Sequence, residues 1–199
     1  MSLAKANYKD VEVFWSLLVA IIGLTCLGFV ACAQNSSQAL TKGERQLSIE
    51  VTTDSGDDYG EAFVLAQSLG MEVTSLSLQW DELEPRPGNN GTAPNWLEIA
   101  NDFFPTQAMS TSFMIGPIDT NNLRLPADLK DKAFDDPEVI ERFERLLDYV
   151  FEQIPELELS SLAIGNEIDG YLGTNKRRWQ EYSTFFREVS AYAKTKRSG

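Results

Sequence analysis

The chain has 199 residues, 43% of them hydrophobic and 11% aromatic, which is enough apolar material for a sizeable core. Lys and Arg number 17 against 30 Asp and Glu, and the net charge of -13 argues against nucleic acid as a partner and against binding anionic lipid by charge alone. There is no histidine, which removes the usual base of serine and cysteine hydrolases and the commonest zinc ligand, so acid–base chemistry falls to Asp, Glu, Lys or Tyr.

The first element is an uncharged apolar run from Val13 to Ala31, preceded by Lys5 and Lys9 and followed by the polar "QNSSQ". Residues 1–32 therefore read as an export signal or anchor rather than part of the fold. Cys26 and Cys32 are the only cysteines, so the rest of the chain has neither a disulfide nor a thiolate metal site. "FVAC" has the form of a bacterial lipobox with Cys32 as the lipidated residue; cleavage near Ala31-Cys32-Ala33 and an uncleaved span are the alternatives. The expected address is the cell envelope or beyond, with the membrane reached through this segment or a lipid on Cys32.

Residues 33–45 are polar and aperiodic and read as a linker, with the domain occupying 46–199. "QLSIEVTT" predicts a strand, and after the turn-rich "DSGDDYG" the spacing of Phe63, Leu65, Ala66 and Leu69 predicts a helix ending at Gly70. "MEVTSLSLQW" predicts a second strand, followed by a Pro-rich loop and a helix with Trp96, Ile99, Ala100 and Phe103 on one face. "AMSTSFMIG" begins a third unit, whose helix, Pro137 to Phe151, lines up Val139, Ile140, Phe143, Leu146, Leu147 and Val150. "LELSSLAIG" begins a fourth, with a helix from Arg177 to Lys194 carrying Trp179, Tyr182, Phe186, Val189 and Ala193.

Four consecutive strand–helix units imply a parallel sheet, either doubly wound or a β/α barrel. A doubly wound nucleotide fold would want G-x-G-x-x-G after the first strand, and "DSGDDYG" brings Asp54, Asp57 and Asp58 instead. The α/β class with a (β/α)8 TIM-barrel arrangement, of which the first four units are present, is the better reading. A complete barrel of this kind usually needs about 250 residues.

Barrel sites lie at the C-terminal ends of the strands. Here those positions hold Thr53 and Asp54, Trp80 and Asp81, Asp119 and Thr120, then Asn166, Glu167 and Asp169, with Tyr171 just beyond. Carboxylates with an indole suit glycoside chemistry, which needs a carboxyl to protonate the leaving oxygen, a second carboxylate, polar groups for hydroxyls and an aromatic face for the sugar ring. Neither a cofactor nor a metal is called for.

On "IGNEID" after the fourth strand and "SLSLQWDELEPRPG" after the second, the sequence resembles the large clan of retaining glycoside hydrolases with β/α barrels, "IGNEI" being most like the endo-β-1,4-galactanases. The resemblance implies that Glu167 is the general acid/base and that Asn166 hydrogen-bonds a sugar 2-hydroxyl. It makes the loop of Trp80, Glu84, Pro85 and Gly88 a wall of the substrate groove, and a β-linked carbohydrate the partner, with Trp80, Asp81, Asp119, Asp169 and Tyr171 as candidate contacts. Two departures stand out: the second strand lacks the arginine of many clan members, and the clan's nucleophile, a Glu ending the seventh strand, is not in this chain, which is expected to be catalytically incomplete as given. The first and fourth strands would be bare edges, inviting self-association of two halves.

Plainer readings stand beside these. Glu167 could be an exposed glutamate after a strand, Trp80 a core aromatic, Asp119 an Asx-turn residue, and Tyr171 a lid on the core. Asp54, Asp57 and Asp58 fit helix caps better than a metal site. A non-catalytic surface lipoprotein that binds glycan in the barrel's groove is the alternative function.

Overall fold

The structure is a computed structural model that describes residues 43, 45–52 and 58–197. The N-terminal segment with Cys32, most of the linker, and Thr53, Asp54 and Asp57 lie outside the described residues. In chain order the elements are β1 (Ser48–Ile49), α1 (Tyr59–Ser68), β2 (Val73–Gln79), α2 (Trp80–Leu83), α3 (Trp96–Phe103), β3 (Ser110–Asp119) and β4 (Asn122–Leu123). There follow α4 (Pro137–Gln153), β5 (Leu159–Asn166), α5 (Asp169–Leu172) and α6 (Lys176–Lys196).

The long helices begin where the sequence supplies an acceptor for their unpaired N–H groups. Asp58 accepts from the Gly60 N–H at 2.7 Å, Asn95 from Glu98, and Asp136 from Glu138 at 2.9 Å with Pro137 in the first turn. Asn175 accepts from both Arg177 and Arg178.

β1, β2, β3 and β5 run parallel, and their order across the sheet is their order along the chain. A doubly wound sheet reverses its order at a switch point; this sheet does not, and the chain folds as a partial (β/α) barrel. β4 is a short antiparallel return on the end of β3, with Ile118 opposite Leu123 and Asp119 opposite Asn122.

Register fixes which side chains share a face. Leu76, Phe113 and Leu162 stand in one row across three strands, and Leu78, Ile115 and Ile164 in the next. These rows belong to the core shared with the helices. The intervening rows, Ser75–Ser112–Ser161 and Ser77–Met114–Ala163, form the opposite face, where the Ser112 and Ser161 hydroxyls are hydrogen-bonded at 2.8 Å. Small and polar, this face departs from the bulky branched residues that fill most barrel interiors.

The helix-side core is rich in aromatic rings. Trp80 meets Phe143 edge-on at 4.9 Å between centroids, and Phe143 meets Phe185 at 5.1 Å. Fully burying a side chain of this size is worth about 1.5–3 kcal/mol. The stripe of α4 is as the spacing predicts: Val139, Phe143, Leu146, Leu147 and Val150 are buried, and Ile140 is partly so.

The outer helices differ from expectation. α1 buries Phe63 and Ala66 but leaves Leu65 and Leu69 exposed, and α6 buries Tyr182, Phe185, Val189 and Ala193 while Trp179 and Phe186 are exposed. α3 buries Leu97 and Ala100, with Trp96 and Ile99 open to solvent. The physical reason is placement: as the first and last long helices over an open sheet, α1 and α6 have their apolar stripes covered on one flank only. Along the edge of β5 away from β3, a groove of about 630 Å³ is lined by Phe151, Leu162 and Phe186 among others. Among the described residues no helix is long and apolar enough to cross a membrane.

Candidate functional site

The site is built at the adjoining ends of β3 and β5. Gly165 lies in the left-handed region with φ +89°, and a Cβ there would sit 2.6 Å from the Tyr182 hydroxyl and 2.7 Å from Ile168 Cγ2. Only glycine fits. Tyr182 is itself fixed, donating to the Ile164 carbonyl at 2.6 Å, and its burial raises its pKa far above the ordinary tyrosine value.

Two residues on, Glu167 has φ +45°, and across the gap Thr120 has φ +55°. Together with Ala108 these are the non-glycine residues with left-handed backbone among those described. Such conformations cost of order 1–3 kcal/mol each and persist where the surroundings impose them. The surroundings here are close: the Thr120 N–H donates to the Asn166 carbonyl at 3.0 Å, and the Gly170 N–H to the Glu167 carbonyl at 3.0 Å. Gly170 lies so close to the Thr120 carbonyl that a Cβ would come within 2.7 Å of it.

The side chains pair one to one across this junction. Asn166 Nδ2 donates to Asp119 Oδ1 at 3.3 Å, and Thr120 Oγ1 donates to Glu167 Oε2 at 3.0 Å. Asn166, Glu167 and Thr120 are exposed and Asp119 is half-buried, so the group is accessible. It offers a solvent-facing carboxyl, an amide with one end occupied, and a second carboxylate behind that amide. Asp169 is exposed at the start of α5. Tyr171 is half-buried, with the Arg178 guanidinium 4.6 Å from its ring centroid.

The strand-end residues of β2 are placed apart from this cluster. Trp80 is fully buried against Phe143 and Phe185, and its Nε1 donates to Glu84 at 2.9 Å. That placement corrects the expectation of a sugar platform, because no face of the indole is open to a ligand. Asp81 forms an ion pair with Arg124 at 3.0 Å, and Arg124 also holds Glu82 at 2.6 Å. Arg124, which follows β4, thus ties down the residues after β2, a pairing that local sequence spacing does not reveal.

The motif expected to wall a groove is an interior lock. Glu84 is buried, and its carboxylate accepts from the Trp80 indole, the Gly88 N–H at 2.6 Å and Arg142 Nε at 2.6 Å. Arg142, buried on α4, also reaches Asp128 at 3.0 Å. Sequence reasoning missed Arg142, whose only signal was a cation inside an otherwise apolar stripe. Among the described residues no group of three or more Cys, Asp or Glu is gathered as a metal site.

No protein-family model matches the sequence, and no curated protein matches it. Among solved structures the chain is similar to a GH5_18 enzyme from Bifidobacterium longum subsp. infantis, with TM-score 0.52 and 13% identity over 65% of this chain and 34% of that one. It is similar to the exo-beta-1,4-mannosidase Op5Man5 from Opitutaceae bacterium strain TAV5, with TM-score 0.52 and 18% identity over 64% of this chain and 24% of that one. A family 39 glycoside hydrolase from Bacteroides cellulosilyticus WH2 gives TM-score 0.51 and 15% identity over 73% of this chain and 29% of that one. These neighbours are clan A barrel glycoside hydrolases, and the likeness is one of fold. The chain spans about a third or less of their length.

Proposed function

We propose that the chain carries the acid/base part of a retaining glycoside hydrolase acting on a β-linked polysaccharide or oligosaccharide. One observation carries the reading: Glu167 directly follows the fourth parallel strand of a glycosidase-like sheet in a constrained backbone, solvent-facing, with Asn166 beside it as the strand's last residue. In this role Glu167 donates a proton to the departing glycosidic oxygen, then takes one from the attacking water in the second step. Asn166, with one N–H turned to Asp119, has its Oδ1 and a second N–H left for a sugar hydroxyl. The nucleophile, a second carboxyl about 5–5.5 Å from the first, is assigned to the seventh strand of the barrel. Residues 1–32 are assigned to export and Cys32 to lipidation, and mass spectrometry of the mature N-terminus decides between a diacylglycerol-modified Cys32 and an unmodified end.

The test is Glu167→Gln in the full-length hydrolase. Turnover of polysaccharide, which has a poor leaving group, is expected to fall about 10²- to 10⁴-fold. An aryl glycoside with an activated leaving group, which needs no proton, keeps its first step. Equal activity of wild type and variant on polysaccharide overturns the assignment.

A further inference from the structure

We infer that Thr120 is the positioning residue of the Glu167 carboxyl, an inference that rests on the acid/base reading of Glu167. Thr120 and Asn121 are the two residues that close the hairpin between β3 and β4. Two-residue hairpin loops favour positive φ at their first position, which is ordinarily filled by Gly, Asn or Asp. Thr120 meets that demand with φ +55°, an outlier for a β-branched residue, whereas the chain uses glycine at six other left-handed positions among the described residues. Glycine would satisfy the turn without strain and would lack the hydroxyl.

That hydroxyl lies 3.0 Å from Glu167 Oε2. The backbone on both sides is pinned, by the Thr120 N–H to Asn166 and by Gly170 packed against the Thr120 carbonyl, so the hydroxyl is a fixed point for the carboxyl to meet. A hydroxyl also suits a group that alternates between acid and base. It donates to the carboxylate, and by rotating about its C–O bond it accepts the proton of the carboxylic acid, so the same contact serves both states. A lysine or arginine there would hold the anion alone.

The experiment compares Thr120→Ser, Thr120→Ala and Thr120→Gly in the full-length hydrolase, each in the wild-type and Glu167→Gln backgrounds. Thr120→Ser is expected to stay within about twofold of wild type, since it keeps the hydroxyl. Thr120→Ala and Thr120→Gly are expected to lose about 10- to 100-fold in kcat on polysaccharide with KM little changed, the scale on which a misplaced group is felt. Neither should lower activity further once Glu167 is Gln. Wild-type kcat in Thr120→Ala, or an equal loss in both backgrounds, overturns the inference. A crystal structure of Thr120→Ala separates it from the glycosidase reading: a displaced Glu167 carboxyl supports positioning even if wild type cleaves no glycan, and a carboxyl in its original place refutes positioning whatever the activity.

Discussion

Trp80 Nε1 donates to Glu84 Oε2 at 2.9 Å, tying the first residue of α2 to the start of the loop that follows. Glu84 is 2% exposed and Arg142 8%, and the two form a close ion pair in addition to the Arg142 Nε hydrogen bond. Burial works against the guanidinium charge, yet the hydrogen bonds to Glu84 and Asp128 prevail and its pKa is raised.

Removing one member of such a pair leaves an uncompensated charge in the interior, which costs about 3–5 kcal/mol. Glu84→Ala should therefore lower the stability measured by urea unfolding by about that amount. Glu84→Ala combined with Arg142→Met should cost less than the sum of the two single changes, because the orphaned guanidinium is gone. Additive losses would show that the pair is not coupled.

Gly165 is held by the same economy of space. Gly165→Ala places a methyl group against the Tyr182 hydroxyl and Ile168 at a φ of +89°, and should destabilise by about 2–4 kcal/mol. Tyr182→Phe removes the nearer obstacle, so the double variant should recover part of the loss despite forfeiting the hydrogen bond to the Ile164 carbonyl. No recovery in thermal melts would mean that backbone strain alone sets the cost.

The parts visible in sequence are those governed by local rules. β2, β3, β5 and α4 follow from alternation, helical period and caps, each settled within a few residues. The sequential strand order follows from four repeated units without a phosphate loop. That Asn166 ends β5 and Glu167 follows it is legible in the sequence because a strand end is a local feature. Trp80 was misjudged because an indole at a strand end is the same sequence signal whether it packs or binds; what decides is Phe143 and Phe185, which lie 63 and 105 positions away in the chain and touch it only in the fold. Leu65 and Leu69 were misjudged because a stripe reports what a helix can bury, while the neighbours decide what it does bury.

Asp119 supplies the next prediction. By accepting from Asn166 Nδ2 it fixes which end of the amide faces outward. Asp119→Ala frees the amide to rotate, and on the proposed acid/base reading of Glu167 kcat/KM on polysaccharide should fall about 10-fold, since a misoriented donor or acceptor forfeits roughly one hydrogen bond to the substrate. The melting temperature should change little, because Asn166 is exposed. Unchanged kcat/KM would remove Asp119 from the site.

On α4, Glu144 gives a prediction about pH. Burial raises its pKa first, and Glu141, Asp148 and Glu188 add repulsion that Lys196 only partly offsets. A carboxyl whose pKa is raised by folding binds its proton more tightly in the folded chain, so its contribution to stability is present below the unfolded value of about 4.3 and is lost as pH rises through the folded value. At neutral pH the ionised group is a net cost to the fold. Glu144→Gln should therefore raise the melting temperature at pH 7 by about 1–3 °C. The gain should shrink as pH falls toward 4, where wild type is itself protonated, and also in high salt, which screens the three acidic neighbours. A variant no more stable than wild type at pH 7, or a gain that does not depend on pH, would show that the packing of the Glu144 stem outweighs its charge.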